Sequence, residues 1–223
     1  MTNTSAEYRI LYFPIRGLAE EFRLFLEEKE VTYTDETFED PLKVWWTLKP
    51  TLQPLEQLPI VWHGDLKIRQ SKAILRYMAR KHGGEGKNER EILQADIVAE
   101  STNEWRQKFS FLCYNPDFES LKDQYIKETI PHYMKVLEYF LVENGNTGYF
   151  AGSDFTYADV CAFDMVDNNL LLDPNALSEE LYPNLHQFYH AFKLRPRIAA
   201  YLKSERRRKF TNGAIGYFDA YTL

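Results

Sequence analysis

Tyr8-Arg9-Ile10-Leu11-Tyr12-Phe13-Pro14-Ile15-Arg16 decides the fold. Residues 8–13 are aromatic and aliphatic enough for a buried strand, and Pro14, which has no N–H to donate, ends it. A helix follows, with Leu18, Phe22, Phe25 and Leu26 on one face and Glu20, Glu21, Arg23 and Glu27 largely elsewhere. Residues 31–38 read as a second strand. Residues 58–62 and 66–68 flank His63-Gly64-Asp65, a tight-turn signature, and are expected to form a hairpin. Ser71 then opens a helix whose Ile74, Tyr77 and Met78 share a face. The element order is βαβ followed by ββα.

Beyond it, His82-Gly-Gly-Glu-Gly-Lys-Asn-Glu-Arg90 is glycine-rich and charged, and the strand rhythm stops. Helices are expected over roughly 91–114, 119–142, 157–172 and 184–203, the third opened by a capping box at Thr156-Tyr-Ala-Asp159. The fold class is therefore an α+β N-terminal domain of thioredoxin-like topology followed by an all-α C-terminal domain. The boundaries read as 1–83 for the first, 84–91 for a linker and 92–223 for the second. A redox version of the first domain carries Cys-x-x-Cys just after its first strand. Here that place reads Tyr12-Phe13-Pro14-Ile15-Arg16, without sulfur. Such a protein has to borrow a thiol from a ligand, which points to glutathione.

Composition narrows the functions further. A formal net charge of -6 argues against broad nucleic-acid affinity. Arg206-Arg207-Arg208-Lys209 is the one basic run, and it reads as a solvated patch. No stretch approaches the ~18 apolar residues of a membrane span, and Met1–Ala6 is too polar for a secretory leader. Cys113 and Cys161 lie in apolar runs, as buried thiols do in a reducing compartment, so a cytoplasmic protein is expected. Fifteen Tyr, fifteen Phe and four Trp read as core before they read as a cleft. His186 and His190 stand one turn apart, but Gln187 replaces the Glu of a zinc-protease motif, and no metal site is expected.

Four segments, in order and on the expected elements, carry a family resemblance: Tyr12-Phe-Pro-Ile-Arg-Gly-Leu-Ala-Glu20, Gln57-Leu-Pro59, Gln70-Ser-Lys-Ala-Ile-Leu-Arg-Tyr77 and Phe155-Thr-Tyr-Ala-Asp159. Over nearly its whole length the chain resembles the tyrosine-type cytosolic glutathione transferases. It is most like the mu class through Ile15-Arg-Gly-Leu-Ala19, Ala79-Arg-Lys-His82, Leu112-Cys-Tyr-Asn-Pro116 and Tyr149-Phe-Ala-Gly152, while Tyr12-Phe13-Pro14 is similar to the pi class. The resemblance implies a homodimer that takes glutathione as co-substrate, holds no permanent cofactor, and conjugates the thiolate to hydrophobic electrophiles. A glutathione-dependent isomerase and a non-catalytic binder of apolar ligands use the same fold and stand as alternatives.

The resemblance also implies site residues, and the chemistry of each is independently arguable. A free thiol with pKa near 8.5 is mostly protonated at neutral pH, so it must be activated. Tyr12 matches the catalytic tyrosine, and a neutral phenol can donate a hydrogen bond to the sulfur. Gln70 and Ser71 match the pair that holds the γ-glutamyl end, where a helix N-terminus suits a carboxylate; Ser71 could equally be an N-cap. Gln57, Leu58 and Pro59 match the segment with a cis-proline, whose preceding backbone offers an edge to the cysteinyl part. Trp45 and Lys49 match the pair that reaches the glycyl carboxylate. Glu104 stands where relatives place an Asp that reaches the partner subunit's glutathione, although a solvated helical glutamate reads as well. Phe13, Leu18 and Tyr114 are expected to wall the electrophile pocket. Two positions depart from the pattern: Leu42 falls at a mu arginine, and Leu55 falls where an aromatic key enters the neighbouring subunit.

Overall fold

The computed structural model describes residues 6–218. Met1–Ala6 therefore lies outside the described residues, except for Ala6. Strands β1 (Tyr8–Leu11), β2 (Tyr33–Glu36), β3 (Ile60–His63) and β4 (Leu66–Arg69) form one sheet in the order β2-β1-β3-β4. β1 runs parallel to β2 and antiparallel to β3, and β3 pairs with β4 around Gly64-Asp65 as a hairpin. Alternation orients β1: Tyr8 and Ile10 are buried while Arg9 faces out. The strand is shorter than residues 8–13 suggested. One further bond, from the Tyr12 N–H to the Glu36 carbonyl, extends it, and Pro14 can add no other.

Helices α1 (Glu20–Glu28) and α3 (Ser71–His82) pack against the sheet, with α2 (Pro41–Leu48) between β2 and β3. Helix α4 (Glu89–Cys113) starts earlier than expected, because the Asn88 side chain accepts the Glu91 N–H and caps it. Residues 89–91, placed in the linker from sequence, are thus helical. The run expected over 119–142 divides into α5 (Phe118–Gln124), a wide turn at Tyr125–Thr129 and α6 (Ile130–Glu143). Pro131 cannot donate within the run, and the turn relaxes where that bond is missing. The run over 184–203 breaks into α8 (Pro183–Leu194) and α9 (Pro196–Leu202), because Pro196 drives Arg195 out of helical geometry, to ψ 128°.

Helix α7 (Tyr157–Leu172) lies at the centre. It is buried on nearly every side and packs on α4 and α1, so it carries apolar residues all round. Its capping box forms as expected: Thr156 N–H donates to Asp159 Oδ2 at 2.6 Å. Asp159 Oδ1 also accepts the Phe150 N–H at 2.9 Å. The residues after α9 return to the first half of the chain. The run Arg206–Arg208, expected to be solvated, is tied down instead. Arg206 pairs with Glu27, Arg207 with Asp167 at 2.5 Å, and Arg208 with Asp35 at 3.0 Å. The carboxylates come from α1, α7 and the end of β2, which local sequence around 206–208 does not show. Beyond them, Phe210 and Phe218 pack on Phe109 and Phe118.

Candidate active site

Two cavities meet at the carboxyl end of β1, the beginning of α3 and the middle of α4. The smaller, about 490 Å³, is lined by Phe13, Trp45, Lys49, Gln57, Leu58 and Pro59 together with Arg69. The larger, about 800 Å³, is lined by Tyr12, Arg106, Tyr114, Asn168 and Phe210 among others. Leu18, Gln70 and Ser71 belong to both, so the two form one continuous cleft.

Tyr12 stands beside that junction with its ring buried. The Leu18 N–H donates to its oxygen at 3.1 Å, which occupies an acceptor site and leaves the phenolic proton free to point into the cleft. Burial pushes the Tyr12 hydroxyl above its ordinary value, against the Leu18 N–H, Arg106 and Arg23, which pull it down. The group is therefore a neutral phenol at physiological pH and acts as a donor. Tyr114 lines the same cavity, and burial pushes its hydroxyl up to about 12. It too is a neutral donor.

At the start of α3, Gln70 occupies the N-cap position at φ 71°, ψ 114°, outside the regions a side chain readily permits. Backbone strain of this kind is held at functional sites by the structure around it. The Gln70 amide donates to Gln57 Oε1 at 3.1 Å, joining two segments of the cleft wall. Ser71 is the first helical residue and makes no capping bond, so its hydroxyl remains available to a ligand. The Leu58-Pro59 bond is cis. Trp45, not its neighbour Trp46, faces the cleft, packed on Phe13 with ring centroids 5.1 Å apart. The Lys49 ammonium forms no ion pair among the described residues.

Three placements differ from the sequence expectation or add to it. Phe13 lines the smaller cavity, not the wall shared by Tyr12 and Tyr114, because successive residues of an extended chain point to opposite sides. Glu104 is exposed on α4 and lines neither cavity of its own chain. Beneath the larger cavity is a buried charge cluster that sequence reasoning missed. Glu21 takes Lys72 at 2.9 Å and Arg106 at 2.9 Å, and Arg106 reaches Asp164 at 2.6 Å. Burial alone would raise the Glu21 carboxyl, but Lys72 and Arg106 reverse this and hold it at about 2. Burial also pushes Asp164 up to about 6, despite Arg106. Arg106 shares the cleft-facing rhythm of Asn103, Gln107 and Ser110 on α4 and of Tyr114 just past its end, which was the available signal. Phe210 and Asn212 offered none, since they lie in an irregular tail.

The His186 and His190 rings lie with centroids 4.4 Å apart and tilted by 58°, and no group of three His, Cys, Asp or Glu that could hold a metal ion occurs among the described residues. No helix among them is long and apolar enough to cross a membrane.

Comparison with known proteins agrees with this geometry. Residues 9–80 match the family model "Glutathione S-transferase, N-terminal domain", and residues 103–205 match "Glutathione S-transferase, C-terminal domain". Among curated relatives, glutathione S-transferase Mu 1 of Mus musculus is 37% identical over 202 residues, covering 87% of this chain and 90% of the relative. Glutathione S-transferase Mu 3 of Homo sapiens is 38% identical over 201 residues, 87% of each chain. Among solved structures, the pi-class glutathione S-transferase of Onchocerca volvulus superposes with a TM-score of 0.82 at 33% identity, covering 88% of this chain and 92% of that one.

Proposed function

The chain belongs to the glutathione S-transferase family, and on that premise we propose that Tyr12 holds glutathione as its thiolate for attack on hydrophobic electrophiles. The observation that carries this reading is the Tyr12 hydroxyl, neutral and turned toward the junction of two cavities by the Leu18 N–H. The smaller cavity takes the tripeptide. Gln70 and Ser71 hold its γ-glutamyl end at the start of α3, the Leu58 backbone pairs with its cysteinyl part, and Trp45 and Lys49 meet the glycyl carboxylate. The sulfur then lies between the cavities, within reach of Tyr12. Leu18, Tyr114 and the tail wall the electrophile side. Phe13 steadies Trp45 from the glutathione side. In a homodimer, Glu104 extends from α4 toward the partner's glutathione amine. Buried, unpaired Cys113 and Cys161 fit a cytoplasmic location.

With a chloronitrobenzene, the thiolate sulfur bonds the ring carbon and chloride leaves with the bonding pair. The thiol proton goes to solvent. Tyr12 contributes by donating to the thiolate, so its removal should raise the pKa of bound thiol and slow conjugation. Tyr12→Phe should lower turnover at least about tenfold at neutral pH, equivalent to about 1.4 kcal/mol of transition-state stabilisation. The loss should shrink as pH approaches the free thiol's pKa near 8.5. Steady-state rates of both proteins across pH test this. An unchanged rate in the variant would remove Tyr12 from the reaction.

A further inference from the structure

Asn168 and Asn169 are adjacent on α7, both are buried, and only one is satisfied. Asn169 donates to the Met165 carbonyl at 2.8 Å and accepts the Tyr125 hydroxyl at 2.9 Å. Asn168 is 4% exposed, its Oδ1 has no hydrogen-bond partner, and its side chain lines the larger cavity beside Tyr12 and Tyr114. A buried amide without a partner is a desolvation cost that native structures rarely keep. The atom without a partner is an acceptor, and turning the amide over by about 180° about its terminal torsion, which is broad and roughly two-fold, puts the NH2 donor in its place.

A second unspent group stands next to it. Arg106 is 6% exposed and lines the same cavity. Both of its bonds, to Glu21 and to Asp164, run through Nη2, and Nε has no partner. Asp164 is four residues before Asn168, so the two lie on one face of α7 and place the amide one turn from the guanidinium. The apolar Ile15, Leu18 and Phe210 line the same cavity. The cavity lining thus combines apolar side chains, which suit the body of an electrophile, with two polar side chains that each keep an unpartnered atom.

From this we infer that the electrophile carries an oxygen acceptor, a carbonyl or a carboxylate, away from its reacting carbon, and that Asn168 with Arg106 receives it. The inference deepens the proposed transferase function and rests on it. Asn168 is then a specificity-determining residue. Because its side chain holds nothing else in place, replacing it should spare the fold.

The test compares benzyl chloride with its 4-acetyl and 4-carboxylate derivatives, each conjugation rate divided by the uncatalysed rate with glutathione. In the unaltered protein, kcat/KM should favour at least one oxygen-bearing probe over benzyl chloride by about tenfold, the value of a good polar contact. Asn168→Leu should erase most of that preference by raising KM for the oxygen-bearing probe more than for benzyl chloride, and leave the melting temperature unchanged or higher. Asn168→Asp, of the same shape, should reject the carboxylate probe in particular. The inference fails if the unaltered protein shows no preference, or if Asn168→Leu keeps it. It also fails if Asn168→Leu slows all three probes equally, since that is a structural effect. Turnover of a chloronitrobenzene but of none of the three probes would overturn the inference alone, whereas absence of turnover with the chloronitrobenzene as well would overturn the transferase reading beneath it.

Discussion

At Gly17 the backbone takes φ 45°, and a Cβ built there would stand 2.6 Å from the Tyr12 hydroxyl. Glycine is thus required twice, for the left-handed conformation and for the approach of the phenol. Gly17→Ala should displace the Tyr12 oxygen and the Leu18 N–H that orients it, lowering kcat/KM for conjugation about tenfold or more. Gln70, Ser71 and Lys49 are untouched, so glutathione affinity measured by calorimetry should change less than about threefold. An equal loss in both quantities would mean that Gly17 serves the whole cleft, not Tyr12. At this scale a residue's place was legible where it depends on a short segment: Tyr12, Gln70, Ser71 and Trp45 all line the cleft, each named from residues beside it. Phe13 lines the smaller cavity and not the larger, because its side depends on the phase of an extended chain just past a strand end. Lys72, Arg106 and Asn168 went unread, because their cavity exists only once α3, α4 and α7 have packed together.

Elements were read well where periodicity was long and less well where a single proline intervened. The hairpin, α1, α3 and the capping box of α7 follow local rules and appear as expected. Pro131 and Pro196 each interrupt a run that looked continuous, since apolar spacing resumes in phase beyond them. The tail had no periodicity to read, and its charge run was misjudged because the carboxylates that bind it are remote in sequence. Arg208 donates to Asp35 Oδ2 through Nε and Nη2 at 3.1 and 3.0 Å, and its own carbonyl accepts Arg16 Nε at 2.9 Å. These bonds lead the chain to Phe210, Thr211 and Asn212 on the larger cavity. A pair about one-third exposed is worth at most ~1 kcal/mol, so Arg208→Ala should lower the melting temperature by only ~2–4 °C. The KM for the electrophile should nevertheless rise several-fold, with that for glutathione unchanged, because only the larger cavity loses a wall. Matched Michaelis curves for the two substrates decide it. An unmoved electrophile KM would separate the tail from substrate binding.

At the scale of the molecule, the two halves are joined beneath the active site by charge. Glu21 on α1 and Lys72 on α3 belong to the first half, and Arg106 on α4 and Asp164 on α7 to the second. The carboxylates have opposite pH signs. Glu21 is depressed from 4.5 to about 2. Its stabilisation is therefore complete above about pH 4.5 and is lost as pH falls through 2, an effect worth about 3 kcal/mol. Asp164 and Asp159 are raised from 3.8 to about 6 and about 7. Their contribution is complete below 3.8 and is lost as pH rises through those values. These two carboxyls should accordingly add stability on mild acidification from neutrality, opposed by His82 and His190, whose burial lowers their pKa, and Glu21 should contribute to the loss of stability below pH 4.5. Glu21→Gln leaves Lys72 and Arg106 short of a buried counter-charge, so it should cost about 3–5 kcal/mol at pH 7. That deficit should narrow steadily between pH 4.5 and 2, where the native carboxyl is itself being neutralised. Urea unfolding of both proteins over pH 2–8 measures the difference. If it stayed constant across the acid range, Glu21 would not be held ionised by the two cations, and the buried cluster would not join the two halves through its charge.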